Sequence, residues 1–301
     1  MTDRIDIALG FDAKYAPHAA ATIASVARHA PGARLRFTIL YVDVDAETKA
    51  RFEASVPHAE YNWVEVRDED LPPMDQRGYF SRANLFRLGI ERLAPQECER
   101  IIYLDADVIA CRDIRDFWSI DLMGAPLGGV EDTFTKADEF AAKHGLPAPR
   151  EGYFNAGILL IDLKQVREQR LFERGIEMLR ANMDAFPFLD QDVLNILCWE
   201  RWRRVSPCWN VQRRMTMAKW EVDIPPSQRL NGDPPGLIHY TDWEKPWVKN
   251  GYNPWAGAYW ENLERTPFLA QVAAAEGFDA WTRLRLKLRW LRHRYLPARA
   301  A

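Results

Sequence analysis

What most limits the fold is an alternation of two hydrophobic periods through the first hundred residues. Residues 4–11 (RIDIALGF), 35–42 (LRFTILYV), 61–66 (YNWVEV) and 100–104 (RIIYL) are short apolar or alternating runs of strand type. Between them, the stretch HAAATIASVARHA behind Pro17, residues 46–56 and residues 81–93 read as helices. Pro17 sits just inside its helix, where the missing N–H costs nothing, and Pro31-Gly32 and Pro95 close the first and last of these. Strands alternating with helices predict an α/β fold with a mostly parallel, Rossmann-like sheet covered on both faces. Ligands of such sheets bind at the carboxyl ends of the strands.

The second half is less regular. Residues 125–130 and 156–161 (AGILLI) predict strands, and 164–182 and 191–200 predict helices. Residues 207–260 are crowded with Trp, Pro, Gly and Asn; six tryptophans there indicate structured loops rather than a linker. The net charge of -3 weighs against a general nucleic-acid binder. Four cysteines, at 98, 111, 198 and 208, form no CxxC pair, so zinc-ribbon, ferredoxin and disulfide frameworks lack support, and free thiols suit a reducing cytosol. The first residues, MTDRID, hold no apolar run of a signal peptide, and nothing approaches the roughly 18 apolar residues of a membrane span.

The charge is uneven. Residues 281–301 hold six Arg, one Lys and no acid, a charge of +7, which leaves the first 280 residues at -10. As a helix this segment puts Leu284, Leu288 and Leu291 on one side with Trp281 nearby, ringed by arginine. That pattern suits an anionic membrane surface. The competing expectation is a helix packed on the acidic body.

The stretch IIYLDAD sets two acids, Asp105 and Asp107, at i and i+2 where a buried strand meets solvent. Side chains at i and i+2 of an extended chain share a face, and a bend there lets both carboxylates reach one cation. Two such charges repel unless something positive lies between them, and a divalent metal with oxygen ligands, Mg²⁺ or Mn²⁺, is the simplest remedy. The alternative is a solvated strand end with capping aspartates.

Five further segments accompany it. In order, ALGFDAKYA (8–16), SRANLFRLGIERLAP (81–95), IIYLDADVI (101–109), YFNAGILLIDL (153–163), LDQDVLN (189–195) and HYTDWEKPW (239–247) resemble the family 8 glycosyltransferases, retaining enzymes with a GT-A fold. Among these, the chain looks most like the bacterial galactosyl- and glucosyltransferases of lipopolysaccharide and lipooligosaccharide assembly. The resemblance implies a GT-A catalytic domain over 1–262, with 263–301 as a basic, membrane-associating segment. It implies a UDP-galactose or UDP-glucose donor and Mn²⁺, with Mg²⁺ possible, held by Asp105, Asp107 and His239. It places Lys245 on the diphosphate, in a loop with Asp242 and Trp247 that closes over the donor; close relatives have glycine where this chain has Asp242. Gly10, Asp12 and Tyr15 match the nucleotide end, and Ala106 lies in the donor-binding stretch. Arg87, Asp132, Asn155, Asp190 and Gln191 match residues around the transferred sugar.

Most of these have a plainer reading. Arg87 could be an exposed helical arginine paired with Glu91, Asp132 and Asn155 could shape turns, and Asp190 could cap a helix. His239 could be a satisfied core histidine, Lys245 a surface lysine, and Asp12 a residue placed at a helix start. For the retaining step the family has an amide, here Gln191, nearest the anomeric carbon. Same-face attack and a nucleophilic Asp190 are both open at this point. The implied acceptor is a saccharide or glycolipid, with no nucleic acid, and the implied location is cytoplasmic, at the inner face of a bacterial plasma membrane. Two other functions compete: a glycogenin-like self-glucosylating enzyme, for which Tyr252 and Tyr259 are available, and a nucleotide-sugar-binding protein without turnover.

Overall fold

A computed structural model describes residues 4–74, 81–216, 224–241, 243–249 and 253–295. Its strands are β1 (Arg4–Asp12), β2 (Arg34–Val42), β3 (Glu60–Glu65), β4 (Arg100–Leu104), β5 (Val108–Ala110), β6 (Leu127–Glu131), β7 (Phe154–Asp162), β8 (Arg203–Arg204), β9 (Val211–Gln212) and β10 (Leu237–His239). Seven form a sheet in the order β3-β2-β1-β4-β7-β6-β8, and β5-β10-β9 form a second, smaller one. The large sheet is mostly parallel; β7 alone runs against its neighbours β4 and β6.

The period of two explains the packing. Ile5, Ile7, Leu9 and Phe11 of β1 face one core with helix Ala16–His29, together with Ile102 and Leu104 of β4. Ala8 of β1 and Ile101 and Tyr103 of β4 face the other core, against helix Phe86–Leu93. Phe86 lies so close to β1 that a Cβ on Gly10 would fall 2.7 Å from Phe86 Cβ. On this second face, Asp6 stands opposite Arg36 in the β1–β2 register, and the two form a buried ion pair extended to Glu97.

Most expected elements form within a few residues of their bounds, with two differences. The single helix expected over 164–182 is two, Leu163–Gln169 and Leu171–Asn182, broken at Arg170 in the left-handed region (φ 50°). Glu91 caps the second by accepting bonds from Phe172 N (2.6 Å) and Glu173 N (3.2 Å), which makes the break favourable. The 207–260 region also contains β9, β10 and most of helix Ala256–Leu263.

That helix sits on Ala16–His29 through Arg28–Glu261 (2.5 Å) and carries the C-terminal helix Ala280–Tyr295. At Gly257 the contact leaves no room for a Cβ, which would lie 2.3 Å from Leu286 O. Trp290 is buried against Trp255 at 5.5 Å, and Glu264 pairs with Lys287 and Arg283. One side of the basic helix is thus packed on the body. The other leaves Leu284, Leu288, Leu291 and Trp281 exposed at 44%, 57%, 42% and 74%.

Candidate active site

The large sheet reverses its strand order between β1 and β4, and the site lies at their carboxyl ends. Beyond Leu104 the chain turns at Ala106-Asp107 into β5 of the small sheet. Asp105 N donates to Gly157 O of β7 (2.8 Å) and Tyr240 N to Asp107 O (3.1 Å), which clamps the turn. β10 pairs antiparallel with β5, His239 opposite Val108, so the register delivers the imidazole beside Asp107.

Three ligand atoms converge within 4.8 Å of one another. His239 Nε2 lies 3.5 Å from Asp105 Oδ2 and 3.3 Å from Asp107 Oδ1. The sibling oxygens are committed elsewhere. Asp105 Oδ1 accepts from Tyr103 OH (2.7 Å) and Arg87 (3.0 Å), and Asp107 Oδ2 accepts from Lys245 Nζ (2.5 Å). Asp107 Oδ1 is buried without a hydrogen bond. Facing the trio is Gly157, where a Cβ would lie 2.1 Å from His239 Cε1 and 2.5 Å from Asp105 Oδ2. The chain keeps this space free of side chain. Two carboxylates and one imidazole around it fit a divalent cation. Burial opposes charge on Asp107, yet Lys245 and His239 hold its carboxyl below the usual carboxylate range. Burial likewise pushes His239 down, but the two carboxylates outweigh it and raise the imidazole above its ordinary value.

Beside this trio, Arg87 is buried. It donates to Asp105 through Nη2 and, with Nε turned to the carbonyl of Asn84, forms an ion pair with Asp190 (Nε to Oδ2, 2.6 Å), while its guanidinium lies over the Tyr103 ring. It is not the exposed partner of Glu91. Asp190 opens helix Asp190–Leu197 but does not cap it, since Leu189 is the cap position. Burial pushes the Asp190 carboxyl up to about 7, with Arg87 pulling the other way and Asp105 adding to the rise. Gln191 Oε1 accepts from Ala156 N (2.9 Å). Asp132 does shape a turn: its Oδ1 accepts from Phe134 N and Thr135 N (both 2.8 Å), and its Oδ2 accepts from Asn155 Nδ2 (3.1 Å).

At the end of β1, Asp12 Oδ1 accepts from Tyr15 N (3.0 Å), which shapes the turn into the first helix. Thr22 bonds the carbonyl of Ala106 (3.2 Å). Tyr15 is half-buried, its ring edge-on to Trp247 at 6.0 Å. Trp247 in turn stacks on His18 at 3.6 Å, and His18 Nδ1 bonds Tyr259 OH (2.7 Å). The segment carrying Lys245 is thereby tied to the first helix, and Glu244 ties it to Arg213. Asp242 lies outside the described residues.

A sequence profile described as glycosyl transferase family 8 matches residues 6–251, a span that includes Asp105, Asp107, His239, Lys245, Arg87 and Asp190. The chain belongs to that family. Over 269 residues this glycosyltransferase is 26% identical to the lipopolysaccharide 1,2-glucosyltransferase of Escherichia coli (strain K12), covering 88% of this chain and 79% of that one. Over 275 residues it is 27% identical to the lipopolysaccharide 1,3-galactosyltransferase of Salmonella typhimurium (strain LT2), covering 88% and 80%. A crystal structure of the galactosyltransferase LgtC in complex with donor and acceptor sugar analogues matches with a TM-score of 0.78 at 25% identity, covering 90% of this chain and all of that one. The fold is the expected GT-A fold.

Several residues of the candidate site carry no sequence expectation. Tyr103 was open to discovery, because it stands at i-2 from Asp105 on one strand face. Gly157 lies inside a matched segment, and its role is visible only once β7 is laid beside His239. Asn210 and His18 act through partners 29 and 241 residues away, which no local pattern marks.

Proposed function

We propose that the enzyme transfers galactose or glucose from a UDP-sugar to a saccharide or glycolipid acceptor of lipopolysaccharide type, with retention of configuration. The observation that carries this is the convergence of Asp105 Oδ2, Asp107 Oδ1 and His239 Nε2 beside Lys245 and the Arg87–Asp190 pair, at the carboxyl ends of β1 and β4. Asp105, Asp107 and His239 would hold Mn²⁺, with Mg²⁺ as substitute, and the ion when bound supplies positive charge to the departing diphosphate. Lys245 serves the diphosphate as a point charge. Gly10, Asp12, Tyr15 and the Ala106 stretch bind the nucleotide end, with Asp242 in the covering loop.

Arg87, Asp132, Asn155, Asp190 and Gln191 surround the sugar. Asp190 is buried and paired to Arg87, which supports a positioning role rather than nucleophilic attack. Gln191 has its oxygen turned to Ala156 N, so the amide end that remains can only donate. Both features favour same-face attack. The acceptor hydroxyl bonds to the anomeric carbon as the bond to UDP breaks, and its proton passes to the departing phosphate oxygen.

Residues 1–262 form the catalytic domain, and 263–301 bring it to an anionic membrane at the cytoplasmic face. The exposed Leu284–Leu288–Leu291 side, flanked by exposed Arg285 and Arg292, supports this. Among the described residues no helix is long and apolar enough to cross a membrane. Self-glucosylation draws no support from Tyr259, which is buried with its hydroxyl on His18. Tyr252 lies outside the described residues.

The test is incubation with UDP-galactose or UDP-glucose, Mn²⁺ and truncated lipopolysaccharide core acceptors. Release of UDP with gain of one hexose on the acceptor is expected. A hexose gain on the protein itself would transfer support to the self-glucosylating reading, and no UDP release with either donor would sink the proposal.

A further inference from the structure

The structure assigns Asn210 as the positioning residue that makes His239 a metal ligand and couples the metal site to the sugar side of the cleft. This rests on the cation reading of the Asp105–Asp107–His239 cluster. The polarity of this cluster is fixed at one end. Asp132 Oδ2 is a carboxylate oxygen and only accepts, so the Asn155 atom 3.1 Å from it is the amide nitrogen. Asn155 Oδ1 then faces Gly157 N (3.1 Å), a backbone donor, and Asn210 at 2.9 Å. An oxygen facing it from Asn210 would leave two acceptors in contact, so Asn210 turns its N–H to Asn155. Asn210 Oδ1 is thereby directed at His239 Nδ1, 3.1 Å away. An oxygen acceptor there requires Nδ1 to carry the proton. The remaining nitrogen, Nε2, keeps its lone pair for a cation and is the one that faces Asp105 and Asp107.

All four residues are buried, Asn210 completely. Bulk water does not reach Asn210, and a flipped amide at any point reverses the chain behind it. The relay therefore transmits in both directions. A sugar hydroxyl that engages Asp132 or Asn155 stiffens the arrangement that presents Nε2. A metal on Nε2 stiffens the amides that face the sugar. By linkage, the gain in Mn²⁺ affinity produced by the hexose equals the gain in hexose affinity produced by Mn²⁺.

The experiment titrates Mn²⁺ by calorimetry into the full chain, alone and with UDP, UDP-galactose or UDP-glucose, for the unmodified protein, Asn210→Ala and Asn210→Asp. Circular dichroism checks each fold. Asn210→Ala is expected to weaken Mn²⁺ binding about 10–100-fold, the range for loss of a ligand-orienting partner, and to abolish the difference between UDP and UDP-hexose in promoting Mn²⁺ binding. Asn210→Asp keeps an oxygen for His239 and removes the N–H given to Asn155. It is expected to hold Mn²⁺ within about threefold while losing that UDP-hexose preference. Wild-type-like Mn²⁺ affinity in a folded Asn210→Ala would overturn the assignment. If the alanine variant does not fold, an unchanged hexose preference in Asn210→Asp overturns it instead. Absence of Mn²⁺ binding by the unmodified chain would remove the cation reading itself, and this inference with it.

Discussion

At the residue scale, the site is built by what each atom is prevented from doing. Tyr103 and Arg87 occupy one oxygen of Asp105, Lys245 occupies one of Asp107, and the free oxygens are left facing His239. Gly157 keeps the space between them open. Gly157→Ala is expected to cost about 1–3 kcal/mol in thermal unfolding, as overpacking does, and to weaken Mn²⁺ binding more than tenfold by calorimetry; unaltered Mn²⁺ binding in the folded variant would refute this account of the cradle. His18 offers a pH test. Burial pushes its imidazole down to about 3, from an ordinary value of 6.5. Between those values the unfolded chain binds the extra proton, so the His18 contribution is intact above 6.5 and is lost as pH falls toward 3. From pH 7 to pH 5 that loss is about 2 kcal/mol. His18→Phe keeps a ring on Trp247 and removes the proton. Urea unfolding at the two pH values should show it losing about 2 kcal/mol less than the parent, whereas equal losses would contradict burial of a neutral His18.

At the element scale, the amino-acid pattern went far where a period was clear and fell short where long-range capping decided. β4 was legible to the residue, and its two terminal acids were legible as a pair, because a buried apolar run that ends on like charges needs a cation or a solvent edge. The break at Arg170 was not legible. Local propensity favours continuing the helix, and the cap comes from Glu91, more than 80 residues upstream. The two- and three-residue strands β9 and β10 are too short to show a period, and without β10 the approach of His239 to Asp107 rested on resemblance alone. The basic C-terminal helix packs one side on Ala256–Leu263, as the packed-helix expectation has it, and leaves the other side open. Gly257→Val should lift that helix off. Limited trypsin digestion is expected to cut the variant at Arg285 or Arg289 well before the parent, and identical digestion rates would show that the helix does not depend on that contact.

At the scale of the whole molecule, a body of charge -10 carries a basic helix at one end, with an apolar stripe turned away from it. If that stripe meets a membrane, attachment combines burial of leucine with attraction to anionic headgroups and weakens with salt. Leu284→Glu with Leu288→Glu is expected to reduce cosedimentation with anionic vesicles more than tenfold, and to leave turnover on a soluble saccharide acceptor unchanged. Undiminished cosedimentation would place any membrane contact elsewhere.

We propose that Asp105, Asp107 and His239 hold a cation for a nucleotide sugar. The most direct measurement is calorimetric binding of UDP-galactose and UDP-glucose to the unmodified chain and to Asp107→Asn, each with Mn²⁺ and with EDTA. Binding by the unmodified chain that requires Mn²⁺ and disappears in Asp107→Asn is the predicted result. Binding that persists in EDTA, or survives in Asp107→Asn, would contradict the account.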